Sequence, residues 1–181
     1  MKEITFFGRG GQGAVMASEI LADAYFREGF QVQGFPSFGV ERRGAPVTAF
    51  LRIDKEFIFL RSMIYRADFG IVLAPDIVNS PMFKSSLKKG AEILVNSPRK
   101  ISELAEYKTW YLDAAGIALE FGLGSISQPV VNTAIIGAYA KVAGDLKLAN
   151  LMGAVEDGVP LKVEQNLKAV KKAYEMVVAH E

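Results

Sequence analysis

Residues 3–14, Glu3-Ile4-Thr5-Phe6-Phe7-Gly8-Arg9-Gly10-Gly11-Gln12-Gly13-Ala14, contain the transition that decides the fold. The first five are mostly apolar, β-branched or aromatic, and a glycine ends them, which reads as a short buried strand. From Ala14 the period changes. Val15, Ala17, Ile20, Leu21, Ala24 and Tyr25 recur at helical spacing, and Gly29 supplies a stop. A second strand is expected at about 30–35. A strand, a glycine turn, a helix and a strand make the seed of a layered α/β domain.

The rest of the chain extends that pattern. Pro46 precedes a good strand at 47–53, and Asp54-Lys55-Glu56 is expected to turn it into a partner at 57–60, making the sheet mixed. Residues 69–74 read as a central parallel strand. A crossover helix at 80–89 opens with Ser80-Pro81, and proline is tolerated in a first helical turn. Strands follow at 91–96 and 109–113, with a helix at 114–120. The remainder is helical: residues 130–140 are apolar nearly all round and so buried or at a subunit contact. A shorter helix spans Asp145 to Met152, and an amphipathic one spans 161–178. Without an internal repeat or long linker, residues 1–181 read as one α/β domain: three α/β/α layers around a mixed, mostly parallel sheet, with a helical C-terminal part.

Composition narrows the chemistry. Half of the 181 residues are hydrophobic, which suits a packed core. Twenty-one basic and twenty acidic side chains leave a formal charge of +1, so nothing general favours nucleic acid. There is no cysteine, which removes disulfides, a thiol nucleophile and thiolate ligands for an iron–sulfur cluster. The only histidine, His180, reads as part of a frayed chain end, so a histidine-based zinc site or a serine–histidine triad is not expected. No run reaches the roughly 20 apolar residues of a membrane span, and the N-terminus lacks a signal-peptide pattern. A cytoplasmic protein without membrane contact is the expectation.

Gly8, Gly10 and Gly13 match G-x-G-x-x-G between a strand and a helix. Glycines there permit a tight turn, close backbone approach to a ligand and close helix–strand packing. Free amides at the helix start can face a phosphate or carboxylate, and Arg9 and Gln12 offer a cationic fork and a carboxamide. Gly11 completes the turn. The alternative is a turn that only lets the first helix cross the sheet closely. A nicotinamide domain requires an acidic residue at the end of the second strand, about 20 positions on. That region is Val32-Gln33-Gly34-Phe35-Pro36, without a carboxylate. A P-loop also fails, because no G-K-[ST] closes the motif.

Three further features bear on a ligand. Glu41-Arg42-Arg43 sits in a loop shaped by Gly39, Gly44 and Pro46. If that loop lies at the carboxyl ends of the strands it shares the glycine turn's crevice, where an arginine can pair with phosphate and Glu41 can orient it. Asn132 and Thr133, at the start of the buried helix, offer amide and hydroxyl groups, although capping by Thr133 or Ser127 is the simpler role. Asp76 follows a strand and can line the same crevice. Phe35 and Phe38 suit either a partner contact or the core.

Gly8-Arg9-Gly10-Gly11-Gln12-Gly13, then Phe35 to Val47 (Phe-Pro-Ser-Phe-Gly-Val-Glu-Arg-Arg-Gly-Ala-Pro-Val), then Asn132 to Ala138 closely resemble the gamma subunit of 2-oxoacid:ferredoxin oxidoreductases. The likeness is to the pyruvate and 2-ketoisovalerate types and spans about residues 4–180. It implies a non-autonomous subunit of an enzyme that converts a 2-oxoacid, coenzyme A and oxidised ferredoxin to acyl-CoA, carbon dioxide and reduced ferredoxin. Alpha, beta and delta subunits are the implied partners. Thiamine diphosphate, Mg2+ and iron–sulfur clusters are implied for the complex, held by those other chains. Gly8, Arg9, Gly10, Gly11, Gln12, Gly13, Glu41, Arg42, Arg43 and Asn132 become candidates for a wall facing coenzyme A or a partner subunit, with no catalytic residue and no metal ligand. Pyruvate is the preferred substrate, and a branched-chain 2-oxoacid is the alternative. A stand-alone phosphate-ligand-binding protein is the rival from another class.

Overall fold

A computed structural model describes residues 1–37 and 44–180. Strand β1 (Lys2–Arg9) runs into the glycine turn and helix α1 (Ala14–Arg27), and Gly29 follows the helix end at φ +88° as a left-handed stop. Next come β2 (Gln31–Pro36), β3 (Pro46–Asp54) and β4 (Ala67–Val72), then a 3-10 helix (Pro75–Asn79) and α2 (Pro81–Ser85). Strand β5 (Leu87–Asn96), a 3-10 turn (Ser102–Leu104), β6 (Lys108–Leu112) and α3 (Ala114–Glu120) complete the sheet's main part. A two-stranded ribbon, β7 (Gly124–Ser125) and β8 (Gln128–Pro129), leads to α4 (Asn132–Ala143), α5 (Leu148–Gly158), α6 (Val163–Met176) and a last strand, β9 (Val178–His180).

The main sheet has the order β2-β3-β1-β4-β5-β6-β9. Pairings β1–β4, β4–β5 and β5–β6 are parallel, while β3 runs antiparallel to both neighbours and β9 antiparallel to β6. The mixed sheet is as expected, but its antiparallel element is not a 47–53/57–60 hairpin. Strand β3 lies between β2 and β1, so neither of its edges is open, and residues 57–60 form no strand. Four other expectations change. The 80–89 helix stops at Ser85 because β5 begins at Leu87, and the chain end is not frayed at the backbone, since Val178–His180 pairs with β6. The last two long helices span Leu148–Gly158 and Val163–Met176, in place of Asp145–Met152 and 161–178.

Helices flank the sheet unequally. On one face, side chains such as Ile4, Phe6, Leu51 and Ile71 meet α1 and α3 to α6 in a large core. On the other, Phe7, Phe50, Ile64, Phe83 and Ile93 form a smaller core under α2 and the irregular segment 55–66. The alternation is that of a strand buried on both faces: Ile4 and Phe6 point to the first face, Thr5 and Phe7 to the second.

Helix α4 is the centre of the thick layer, with every residue from Asn132 to Ala140 buried. Tyr139 packs edge-on to Phe69, ring centroids 5.0 Å apart, and its hydroxyl lies 3.1 Å from that of Tyr25, which donates to Asp145 at 2.6 Å. Burial pushes the Tyr139 phenol's pKa up, so it stays a neutral hydrogen-bonding group. Against α6 the approach is closer. A methyl group on Gly137 would sit 2.5 Å from the Val170 carbonyl oxygen and 2.8 Å from its Cα. Neither atom can move without shifting α6. Gly137→Ala is therefore expected to lower stability by about 2 kcal/mol or more, read as a fall in the thermal unfolding midpoint, whereas Ala138→Gly should cost only about 1 kcal/mol.

Candidate functional site

The glycine turn is built from its own residues. The Arg9 amide donates to Gln12 Oε1 at 2.8 Å and the Gln12 amide returns to the Arg9 carbonyl at 3.1 Å, so the Gln12 carboxamide oxygen is used in closing the turn. Gly11 and Gly13 have φ of +99° and +82°, a region that disfavours side chains. A Cβ on Gly13 would also fall 2.8 Å from Asn132 Nδ2. This glycine allows the starts of α1 and α4 to meet.

Asn132 is 2% exposed. Its Nδ2 donates to Met16 Sδ at 3.2 Å, and its Oδ1 accepts the Thr133 amide at 2.8 Å. Thr133 is not the cap. Its hydroxyl donates to Asn166 Oδ1 on α6 at 2.7 Å, deep in the core, and Ser127 instead pairs with Ser125 at 3.2 Å.

The turn is also tied to the β2–β3 connection. The Gly10 amide donates to the Ala45 carbonyl at 2.9 Å, and the Gly44 amide to the Gly10 carbonyl at 3.1 Å. Strand register places Pro46 opposite Arg9. Both roots of the connection, Ser37 and Gly44, thus lie at the carboxyl ends of β1 and β2. Phe38, Glu41, Arg42 and Arg43 lie outside the described residues. Phe35 is a core contact, its ring 5.3 Å from that of Phe50.

Arg9 behaves differently from a free cationic fork. Its Nη1 donates to the Gly44 carbonyl at 2.8 Å, and its Nη2 and Nε reach the two carboxylate oxygens of Asp76. The Arg9 guanidinium holds the Asp76 carboxyl below the usual carboxylate range. An anion on that side would meet Asp76 as well as Arg9. The amide side is better suited. No side chain caps α1 and no acidic residue stands in its first turn, so the positive end of the helix is uncompensated by its own residues.

A cleft of about 610 Å³ opens there, lined by Arg9, Gly10, Gly11, Gly13 and Asn132, with Met16, Val47 and Val130 among its apolar walls. The structure thus brings Arg9, Gly10, Gly11, Gly13 and Asn132 onto one cleft, with Gly8 and Gln12 supporting the turn beneath. Among the described residues no group of three or more His, Cys, Asp or Glu gathers as metal ligands, and no helix is long and apolar enough to cross a membrane.

Strand order adds a reason against nicotinamide binding. Because β3 intervenes, the end of β2 stands two strands from β1, about 10 Å away. A carboxylate at Phe35 or Pro36 would still be poorly placed for a ribose.

The Arg9–Asp76 link has a pH signature. Asp76 has a lowered folded-state pKa, so its contribution to stability is present above the unfolded value of about 3.9 and is lost as pH falls through the lowered native one. Asp76→Asn should therefore unfold below the wild-type temperature at neutral pH, and the two curves should converge in strong acid. An equal gap at all pH values would show that Asp76 acts by shape alone.

Comparison with known proteins shows the family. Residues 3–176 match the family model for pyruvate ferredoxin/flavodoxin oxidoreductase. The chain is 44% identical, over the full length of both, to the pyruvate/ketoisovalerate oxidoreductases common subunit gamma of Thermococcus kodakarensis. It is 45% identical, over 96% of each chain, to the pyruvate synthase subunit PorC of Methanocaldococcus jannaschii. The crystal structure of pyruvate oxidoreductase subunit PORC from Thermotoga maritima superimposes with a TM-score of 0.82 at 30% identity, all of both chains being covered. The chain belongs to the pyruvate ferredoxin/flavodoxin oxidoreductase family, as a gamma subunit of the 2-oxoacid:ferredoxin oxidoreductase type.

Proposed function

We propose that the chain works as the gamma subunit of a pyruvate:ferredoxin oxidoreductase in the cytoplasm, with its glycine-turn cleft forming the coenzyme A side of the active region. The observation that carries the cleft's role is the joint placement of the α1 start, the glycine turn and Asn132 on one opening. The uncapped amides of α1 favour a phosphate, and Met16, Val47 and Val130 suit an uncharged portion of the same molecule. Arg9 marks the cleft's border, and Glu41, Arg42 and Arg43 of the β2–β3 connection are proposed as further contacts to the same ligand. On this reading residues 1–181 act as one gamma-type unit.

Decarboxylation and electron transfer belong to other chains. With no cysteine, this chain has no thiolate for an iron–sulfur cluster. Alpha, beta and delta subunits are the proposed partners, carrying thiamine diphosphate, Mg2+ and the clusters, and ferredoxin meets the complex through them. Thiamine diphosphate supplies the carbanion chemistry of decarboxylation when bound. This chain's residues position the acyl acceptor and keep that end of the site shaped.

A branched-chain 2-oxoacid is the second reading, and a specific observation favours keeping it. The Thermococcus relative is named as a subunit common to pyruvate and ketoisovalerate enzymes, and one shared subunit cannot by itself select between the two acids. The pyruvate synthase relative supports pyruvate first.

The test is kinetic and uses the assembled complex. Arg42→Met and Arg43→Met, made singly, are expected to raise the KM for coenzyme A roughly tenfold each, about 1.4 kcal/mol of lost pairing, with the KM for the 2-oxoacid unchanged, whereas Arg9→Met, its guanidinium already held by Asp76 and the Gly44 carbonyl, should raise it less. Unchanged coenzyme A kinetics in an intact complex would leave the turn a purely structural role. Saturable coenzyme A or nucleotide binding by the isolated chain, in a native particle without partner subunits, would instead support a stand-alone phosphate-ligand-binding protein.

A further inference from the structure

The thin face of the sheet carries a surface that the glycine-turn cleft leaves unexplained. Among the described residues, thirteen large apolar side chains are exposed, and five of them (Phe57, Phe59, Leu60, Met63 and Tyr65) fall within nine consecutive positions. A sixth, Met82 on α2, shares a second cleft with Met63 and Tyr65. Apolar groups concentrated in this way are uncommon on a free monomer and mark interaction surfaces.

The segment that carries them is held firmly although it has no regular structure. Arg52, 1% exposed, projects from β3 beneath it and donates to Glu3 Oε1 at 3.0 Å, Gln33 Oε1 at 2.9 Å, and the carbonyls of Ser62 at 2.8 Å and Met63 at 3.1 Å. Gln33 Nε2 donates to the Leu60 carbonyl at 2.9 Å, and Ile64 plugs into the second core. Phe57 and Phe59 stack edge to face with centroids 4.8 Å apart. A partner would therefore meet an ordered surface and spend little entropy on it.

The second cleft, about 460 Å³, is mostly apolar, with Phe7, Phe50 and Phe83 among its walls. Its floor holds one polar anomaly. Thr5 is 2% exposed, and its Oγ1 has no hydrogen-bond partner among the described residues. A buried hydroxyl left unpaired costs stability and asks for a group from outside. Within segment 55–66 Lys55, Arg61 and Arg66 stand against one acidic residue, Glu56, and among the described residues neither Arg61 nor Arg66 forms an ion pair.

We infer that segment 55–66, with α2 and the cleft between them, docks a partner subunit of the complex through an apolar segment flanked by carboxylates. One polar side chain of that segment enters the cleft and pairs with the Thr5 hydroxyl. This rests on the gamma-subunit reading and names the surface it uses. Apolar tops give the contact its core, and Arg61 and Arg66 select an acidic rim.

Recovery of partner subunits with tagged, co-expressed chain tests this. Phe59→Glu and Tyr65→Glu, both at exposed positions, are expected to cut recovery about tenfold or more, while Phe26→Glu and Ile126→Glu, at exposed apolar positions on other elements, leave it unchanged. Arg61→Glu with Arg66→Glu should weaken the complex most at low salt. Thr5→Val should weaken it severalfold with no fall in the isolated chain's unfolding temperature. Thermal unfolding of each purified variant checks that it is folded. If wild-type chain recovers no partner, the gamma-subunit reading fails and this inference with it. If wild type assembles and Phe59→Glu and Tyr65→Glu assemble equally well, the inference alone is overturned. Intact assembly with a raised KM for a small substrate would also overturn it and hand the cleft to a small molecule.

Discussion

At two points in the thick layer a missing side chain sets the distance between helices, and the candidate site follows from them. Gly137 brings the backbone of α4 against Val170 of α6, and Gly13 brings the first residue of α4 against the start of α1. Together they hold α4 buried from Asn132 to Ala140 between the sheet and α6. Were either spacing larger, Asn132 would not reach the glycine turn and the cleft would lose a wall. Packing here shapes the candidate cleft as well as stabilising the fold, because close-packed interiors pass small shifts on to their neighbours.

The same economy governs the polar groups. Asn132 sends its carboxamide to Met16 and Thr133, Gln12 closes the glycine turn, and Thr133 joins α4 to α6 through Asn166. Each of these side chains has the chemistry of a ligand contact, yet each is already used in holding backbone in place. Among the described residues, what remains for a ligand is mainly the part that needs no side chain: the first amides of α1 and the glycine backbone. Preorganised dipoles of this kind favour an anion without needing a cation beside them.

Much of this was legible in the sequence, for identifiable reasons. The glycine turn followed by a 3.6-residue period located β1 and α1, since glycines between an apolar run and an amphipathic one have few other uses. The nearly all-apolar stretch from Val130 to Ala140 pointed to a helix either buried or at a subunit contact, and burial is the outcome. The fate of residues 57–60 was not legible, because Phe57-Ile58-Phe59-Leu60 has strand-like composition and only the sheet order shows that β3 has no edge to offer. Nor was the role of Thr133, since a threonine beside a helix start looks like a cap until its partner, thirty-three positions away, is known. Arg52 gave no local signal at all. Its burial depends on Glu3, Gln33 and two carbonyls brought together only by the fold. Sequence patterns report periodicity and turn chemistry well, whereas non-local polar pairing enters only with tertiary structure.

Arg9 joins the two halves of the molecule's surface. It lines both clefts, yet its guanidinium is turned toward Asp76 and the Gly44 carbonyl, away from the first amides of α1. Its charge is thereby matched on the thin-face side, and an anion is favoured on the thick-face side, where helix amides stand without a carboxylate in the first turn. The thin face is left apolar at its centre and basic at its edge, which suits a protein surface better than a phosphate. One salt-linked arginine at the end of β1 therefore divides a cleft suited to an anionic small molecule from a face suited to a neighbouring chain.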